Sequence, residues 1–90
     1  MLEEKHVMRK VLELLVDETD KIDIKATVTE NTAIYEISVA DSDLGKVLGK
    51  KGAHADALRT IFAAIYGKQK KKLHLQVLDP RRKNLKDGIQ

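Results

Sequence analysis

The stretch "GKVLGKKG", residues 45–52, holds three of the chain's five glycines and three of its lysines. It lies between two apolar segments of the sequence. A glycine has no Cβ atom, so a ligand can approach its backbone closely, and the lysines attract negative charge. The stretch therefore indicates a loop that binds an anionic ligand, and the residues around it decide which ligand.

Nucleotide-binding loops do not fit this spacing. A P-loop requires G-x-x-x-x-G-K-[ST], but counting from Gly45 places Lys50 at the second glycine position, and no Ser or Thr follows a Gly-Lys pair here. A dinucleotide fingerprint requires G-x-G-x-x-G directly after a strand, whereas the spacing here is G-x-x-x-G-x-x-G. What remains is a G-x-x-G loop, Gly49 to Gly52, between two helices.

A G-x-x-G loop between helices suits a nucleic-acid strand. The glycines let a sugar-phosphate chain reach the backbone N–H groups, and the helix that begins near Gly52 directs the positive end of its dipole at a phosphate. Lys50 and Lys51 add attraction that does not depend on base sequence. A helix–helix corner with glycine caps and two solvated lysines has the same pattern, so the motif alone leaves both interpretations open.

Hydrophobic periodicity outside the loop predicts three helices and three strands. Apolar residues at three- and four-residue spacing indicate helices, and strict alternation indicates strands. The predicted elements are a helix over 3–18, strands over 21–28 and 33–40, a short helix over 43–48 with N-cap candidates in 41–43, a helix from Gly52 to about Tyr66 with Gly67 as its C-cap, and a strand over 73–78.

This order, α-β-β-α-α-β, predicts an α+β fold with three helices packed on one face of a three-stranded mixed sheet. The long connection through two helices permits the second and third strands to run parallel. Ninety residues suffice for one small domain. We expect a single domain over residues 1–79 and a basic, flexible C-terminal tail over residues 80–90.

Charge is divided unevenly along the chain, although the net charge is only +3. Residues 1–44 carry 5 Lys+Arg and 11 Asp+Glu, and residues 45–90 carry 12 Lys+Arg and 3 Asp+Glu, so the halves are −6 and +9. This division favours a polyanionic partner for the second half. The chain has no cysteine, no signal-peptide pattern and no apolar run of the roughly 18 residues that span a bilayer. We therefore expect a cytoplasmic location and no membrane contact.

The remaining polar residues predict neither catalysis nor a bound cofactor. His6, His54 and His74 are scattered without ligand spacing, which argues against a metal site. No nucleophile–base pair or paired carboxylates stand out, so we do not expect an enzyme. Aromatic residues make up only 3% of the chain, which argues against RNA recognition by stacking bases on a sheet.

The segment "DLGKVLGKKG", residues 43–52, followed by "ADALRTI", residues 55–61, resembles the KH domain. The element order is that of the type II KH domain, the form common in bacteria. The resemblance covers residues 3–79 and is closest to small single-KH-domain bacterial RNA-binding proteins of the KhpA type.

This resemblance implies binding of single-stranded RNA, about four nucleotides at a time, with low sequence selectivity. It also implies a role in post-transcriptional regulation or as an RNA chaperone, and bases held in a groove between the helices and the sheet edge. Relatives often have an arginine where this chain has Ala53, and a basic residue where it has Asp56. The residues implied to bind RNA are the phosphate-contacting Gly49, Lys50, Lys51 and Gly52, the preceding helix and groove wall of Gly45, Lys46, Val47 and Leu48, and His54 beside the loop.

The helix after the loop is apolar over roughly 200° of its circumference, about twice what one core contact needs. We therefore predict a homodimer through Leu58, Ile61, Phe62 and Ile65. The resemblance adds a second possible partner, a larger KH-containing RNA-binding protein. Two further hypotheses stay open: a protein-interaction module that uses this helix, with RNA binding secondary, and, less favoured, a double-stranded DNA binder, for which no recognition helix is evident.

Overall fold

The computed structural model of the chain describes residues 3–79. The predicted element order and the α+β class are confirmed. The predicted tail, residues 80–90, lies outside the described residues. The elements are α1 (Glu3–Leu15), β1 (Asp23–Val28), β2 (Thr32–Ser38), α2 (Leu44–Leu48), α3 (Ala53–Lys68) and β3 (Lys72–Val77), with single 3-10 turns at Thr19–Lys21, Asp41–Asp43 and Lys50–Gly52.

The three strands form one mixed sheet in the order β1-β2-β3. β1 runs antiparallel to β2, with Asp23 opposite Ser38, and β2 runs parallel to β3, with Thr32 opposite Lys72. The connection through α2 and α3 makes this parallel crossover, as the sequence predicts. β3 is consequently an edge strand.

The polar groups of β3 alternate between its neighbour β2 and the free edge. Lys72 N–H donates to the Asn31 carbonyl and Leu78 N–H donates to the Ile37 carbonyl, each at 2.8 Å. Because successive residues of a strand point their backbone groups to opposite sides, the N–H and C=O groups of Leu73, Leu75 and Val77 point to the free edge. This edge faces the groove described below.

The core lies between the helices and one face of the sheet. Tyr35 on β2 and Tyr66 on α3 are fully buried, and their hydroxyl oxygens are 2.7 Å apart. Burial raises the pKa of both phenols above the ordinary value, so both stay neutral. The core residues are Met8, Leu12, Val16, Ile22, Ile24, Ala33, Tyr35, Ile37, Val47, Leu58, Phe62, Tyr66 and Leu75.

The first helix ends at Leu15, three residues earlier than predicted. The next turn is held by Asp43, whose carboxylate accepts hydrogen bonds from Asp17 N–H at 3.1 Å and Glu18 N–H at 2.9 Å. Asp43 makes no capping bond to α2, so its predicted role as an N-cap is wrong. Its side chain instead joins the end of α1 to the start of α2.

The predicted C-cap at Gly67 is also wrong, because α3 continues to Lys68. The residue with left-handed backbone is Lys70, at φ 63°. Lys70 and Lys71 donate their N–H groups to the carbonyls of Gly67 and Tyr66, both at 2.9 Å, and these bonds close the helix end. Among the described residues, no helix is long and apolar enough to cross a bilayer.

Candidate nucleic-acid interface

The loop between α2 and α3 is a tight turn with three left-handed residues. Gly49 has φ 75° and ψ 172°, Lys51 has φ 56°, and Gly52 has φ 79°. Gly52 N–H donates to the Gly49 carbonyl at 3.1 Å. Lys50 and Lys51 are both exposed at its tip. The turn therefore presents two ammonium groups to solvent on a short, constrained backbone.

His54 holds this loop against the end of α2. Its Nδ1 atom is 2.7 Å from the Lys46 carbonyl oxygen, which can only accept, so Nδ1 carries the proton. The ring lies so close to Gly49 that a Cβ atom there would be 2.5 Å from His54 Cγ and 2.7 Å from its backbone nitrogen. The structure thus brings His54 to the loop, as the sequence suggests, and also shows why position 49 requires glycine.

Backbone N–H groups at this corner are oriented to receive an anion. Lys50 and Lys51 open the 3-10 turn, so their N–H groups precede its first internal bond. Gly52, the N-cap of the 16-residue helix α3, has no side chain to satisfy that helix's first donors. The positive end of the α3 dipole therefore lies beside the two exposed lysines.

Lys46 differs from the other two lysines because its charge is already paired. Its Nζ atom is 2.8 Å from Asp17 Oδ2 and 3.1 Å from Asp43 Oδ1. These hydrogen bonds, that from Asp17 foremost, raise the pKa of Lys46. The N–H of Glu18, with those of Asp17 and the Lys46 ammonium, lowers the pKa of Asp43 despite its burial. Within residues 3–79, no carboxylate forms an ion pair with Lys50 or Lys51.

A groove of about 490 Å³ runs from the end of α2 along the edge strand β3. Its wall begins at Leu48, the residue directly before Gly49, so the groove opens at the loop. The side chains along it are mainly aliphatic, with a few polar groups. The lining residues are Ile34, Tyr35, Leu48, Arg59, Leu73, His74, Leu75, Gln76 and Val77.

Arg59 is the one cation among the groove's lining residues apart from His74, and sequence reasoning missed it. Its Nε atom donates to the Leu75 carbonyl oxygen at 3.1 Å, and its NH1 atom donates to Asp56 Oδ1 at 2.6 Å. The signal was its spacing: Gly52, Asp56 and Arg59 lie at three- and four-residue intervals and so share one side of a helix. That this side faces the sheet edge was visible only in the fold.

The structure separates the other predicted RNA-binding residues. Gly45 lies on the exposed side of α2 with open space around it, and Leu48 lines the groove. Val47 is fully buried in the core, so it offers no surface to a base in this conformation. Lys46 lies beside the loop with its ammonium held by the two aspartates.

The four residues predicted for a dimer interface also divide. Leu58 and Phe62 are buried in the core, and Ile65 is half-buried against it. Ile61 is 58% exposed. The buried stripe of α3 is narrower than its apolar arc, because alanines and Ile61 extend that arc onto the solvent side.

Comparison with known proteins agrees with this geometry. The family model "KhpA/KhpB, KH domain" matches residues 5–77, from the first turn of α1 to the last residue of β3. The chain belongs to the KhpA/KhpB KH-domain family. Its α-β-β-α-α-β order and mixed sheet are those of the type II KH fold, so the glycine loop and the groove are elements of a KH domain.

Relatives in this family are named RNA-binding proteins. The "RNA-binding protein KhpA" of Aquifex aeolicus is 39% identical over 75 residues, covering 83% of this chain and 95% of that protein. The protein of the same name from Chlamydia trachomatis is 31% identical, covering 86% and 99%. That of Listeria monocytogenes is 33% identical, covering 77% and 91%. No solved structure matches the chain.

Proposed function

We propose that the protein binds single-stranded RNA in the cytoplasm through the loop Gly49–Gly52 and the groove along β3. The observation that carries this proposal is the pair of exposed lysines, Lys50 and Lys51, on a left-handed turn at the mouth of a groove. The family and the printed names of the relatives support RNA as the ligand.

The backbone of the RNA follows the loop. Phosphates approach the N–H groups of Lys50 and Lys51 and the N-terminus of α3, and the two ammonium groups supply attraction that does not depend on sequence. The strand then leaves the loop past Leu48, and its bases enter the groove beside the free edge of β3. About four nucleotides fit such a clamp.

Three predicted contact residues take revised parts in this proposal. Lys46 and Val47 hold the loop in place, through the aspartate pairs and the core respectively. His54 keeps its Nδ1 proton on the Lys46 carbonyl, so the neutral ring offers Nε2 as an acceptor. A ribose 2′-hydroxyl is a donor and suits that nitrogen better than a phosphate does.

A homodimer through the solvent side of α3 is the second part of the proposal. Ile61 is 58% exposed and lies two residues from Arg59, which places it about 200° around the helix from the groove. Both surfaces can therefore be occupied at once. Pairing with itself or with a larger KH-containing protein would raise the avidity of a weak four-nucleotide clamp. In the alternative, this face of α3 is the main working surface and RNA binding is secondary.

Fluorescence anisotropy with short labelled single-stranded RNA and DNA tests the clamp. We would compare the wild type with Lys50→Gln/Lys51→Gln at several salt concentrations. The matched control is Lys21→Gln/Lys25→Gln, which removes the same charge near β1, at the opposite side of the sheet from β3. Circular dichroism would establish that all three proteins fold.

We expect the loop variant to lose about tenfold or more in RNA affinity and to show a flatter salt dependence, by about 0.7 per lost phosphate contact. The control should bind within about twofold of the wild type, because its lysines lie away from the groove. Equal loss in both variants would mean that net charge alone attracts the RNA. Absence of RNA binding by the folded wild type would reject the clamp and favour the protein-interaction hypothesis.

A further inference from the structure

The Arg59 side chain occupies the free edge of β3 at the point where a base in the groove would read the backbone. Leu75 directs both its N–H and its C=O to this edge, which together would offer a donor beside an acceptor. The Arg59 Nε–H already donates to the Leu75 carbonyl oxygen at 3.1 Å. The acceptor of the pair is therefore covered by a cation, and the N–H is left as a donor.

The guanidinium itself retains donors for a ligand. An arginine has five N–H groups and no acceptor. The contacts with Leu75 and Asp56 use two of them, through Nε and NH1. The side chain is 45% exposed and lines the groove, so a base entering beside β3 meets a surface rich in hydrogen-bond donors.

Bases differ in how they suit such a surface. The Watson–Crick edge of adenine sets its N6 amino donor beside the N1 acceptor and so needs an acceptor from the protein. Cytosine sets two acceptors, O2 and N3, side by side, and these match the paired donors of a guanidinium. Guanine offers adjacent acceptors only on its N7 and O6 edge.

We infer that Arg59 is a specificity-determining residue, which selects cytosine and disfavours adenine at the nucleotide beside Leu75. This inference rests on the proposed RNA clamp and deepens it. Asp56 positions the guanidinium by accepting from NH1 at 2.6 Å. Its exposed carboxylate, at a position where a basic residue would add affinity for phosphate, thus has a part in orienting the selecting side chain.

The test uses uridine hexamers that carry a single central cytosine, adenine or guanine, with binding measured by anisotropy on the full chain. We expect the wild type to prefer the cytosine oligomer over the adenine oligomer by about tenfold, which is what one good bidentate contact provides. Arg59→Lys keeps the charge but loses the planar fork, so overall affinity should fall little while the preference shrinks to about twofold. Arg59→Ala uncovers the Leu75 carbonyl and should remove or reverse the preference.

Asp56→Ala is the matched control, because it leaves Arg59 and its bond to Leu75 in place. This variant should retain a preference for cytosine. A wild type that binds all oligomers equally, or an Arg59→Lys variant that keeps the full preference, would overturn the inference while leaving the clamp intact. Preference for the guanine oligomer would also overturn the choice of cytosine. If the folded wild type binds no oligomer, the clamp and the inference both fail.

Discussion

The Nδ1 atom of His54 lies 2.7 Å from the carbonyl oxygen of Lys46, so the first turn of α3 is hydrogen-bonded back to the end of α2 across the glycine loop. The imidazole that makes this bond fills the space where a Cβ atom at position 49 would lie. The loop is thus braced from within by a side chain of the helix that follows it. This relationship predicts that the loop's glycines are unequal.

Gly49→Ala should destabilise the protein by more than about 2 kcal/mol, because the new Cβ meets both the ring and the backbone of His54 and the φ of 75° is unfavourable. Gly52→Ala meets open space and should cost only about 1–2 kcal/mol for its left-handed backbone. Gly45→Ala, in a helix with open space, should be neutral or stabilising by up to about 1 kcal/mol. Urea denaturation measures all three, and equal losses at positions 49 and 52 would contradict the bracing role of His54.

Lys51→Asn should uncouple stability from binding. Lys51 is held at φ 56°, a conformation that asparagine tolerates better than lysine, so stability should stay the same or rise by up to about 1 kcal/mol. RNA affinity should nevertheless fall, because a charge at the loop is lost. Lys50→Asn, at a residue without positive φ, is the control: it should weaken RNA binding similarly and bring no gain in stability. Thermal denaturation and anisotropy on the same samples make the comparison.

Asp43 should control stability in acid. Hydrogen bonds from the N–H of Glu18 and of Asp17, and from the Lys46 ammonium, hold the pKa of Asp43 below its ordinary value of 3.8. Its contribution is therefore fully present above that value and is lost as the pH falls through the lower pKa of the folded state. Asp43→Asn should be less stable near neutral pH and should show a flatter decline in acid.

Thermal denaturation followed from about pH 7 to about pH 2 tests this expectation. Asp41→Asn, which changes an exposed carboxylate in the same turn, should keep the acid dependence of the wild type. An acid profile that is identical in Asp43→Asn and the wild type would show that other carboxylates control it.

The Tyr35–Tyr66 hydroxyl pair should behave as a coupled unit. Tyr35→Phe or Tyr66→Phe alone leaves one buried hydroxyl without its partner and should cost about 1–3 kcal/mol. The double variant removes both hydroxyls and should cost less than the sum of the two. Because burial raises both pKa values, the stability due to the neutral pair should be lost only in strong alkali, above the ordinary value of 10.0. Additive losses in a double-mutant cycle would contradict the coupling.

Ile61→Glu should disrupt the proposed dimer without disturbing the core, because Ile61 is 58% exposed. Light scattering at tens of micromolar should give a dimeric mass for the wild type and a monomeric mass for this variant. Leu14→Glu changes an 88% exposed leucine on α1 and should leave the dimer intact. A monomeric wild type would reject the homodimer and leave a different protein as the partner of α3.

Local sequence pattern was sufficient for the element order, the sheet faces and the position of the loop. Tyr35 and Ile37 alternate on β2 and are buried as predicted, because alternation depends only on strand geometry. The glycine loop is identified by residues adjacent in the chain, where spacing and chain flexibility are the whole signal. These features need no knowledge of what lies across the fold.

The parts that sequence reasoning missed depend on contacts between distant segments. Lys46 resembles the other loop lysines in sequence, but its charge is paired with Asp17, which is 29 residues away. Helix α1 ends early because Asp43, 25 residues from Glu18, binds the backbone there. Leu58 and Phe62 share an apolar arc with Ile61, and only the packing of α3 on the sheet separates buried from exposed members.

The sequence by itself determined a KH-type fold and a cationic glycine loop, because periodicity and backbone freedom are properties of neighbouring residues. Only the tertiary structure decided which lysines remain available and that Arg59 meets the free edge of β3, 16 residues away at Leu75. Hydrogen bonds and ion pairs form between atoms close in space, and the crossover from β2 through α3 to β3 is what brings those atoms together.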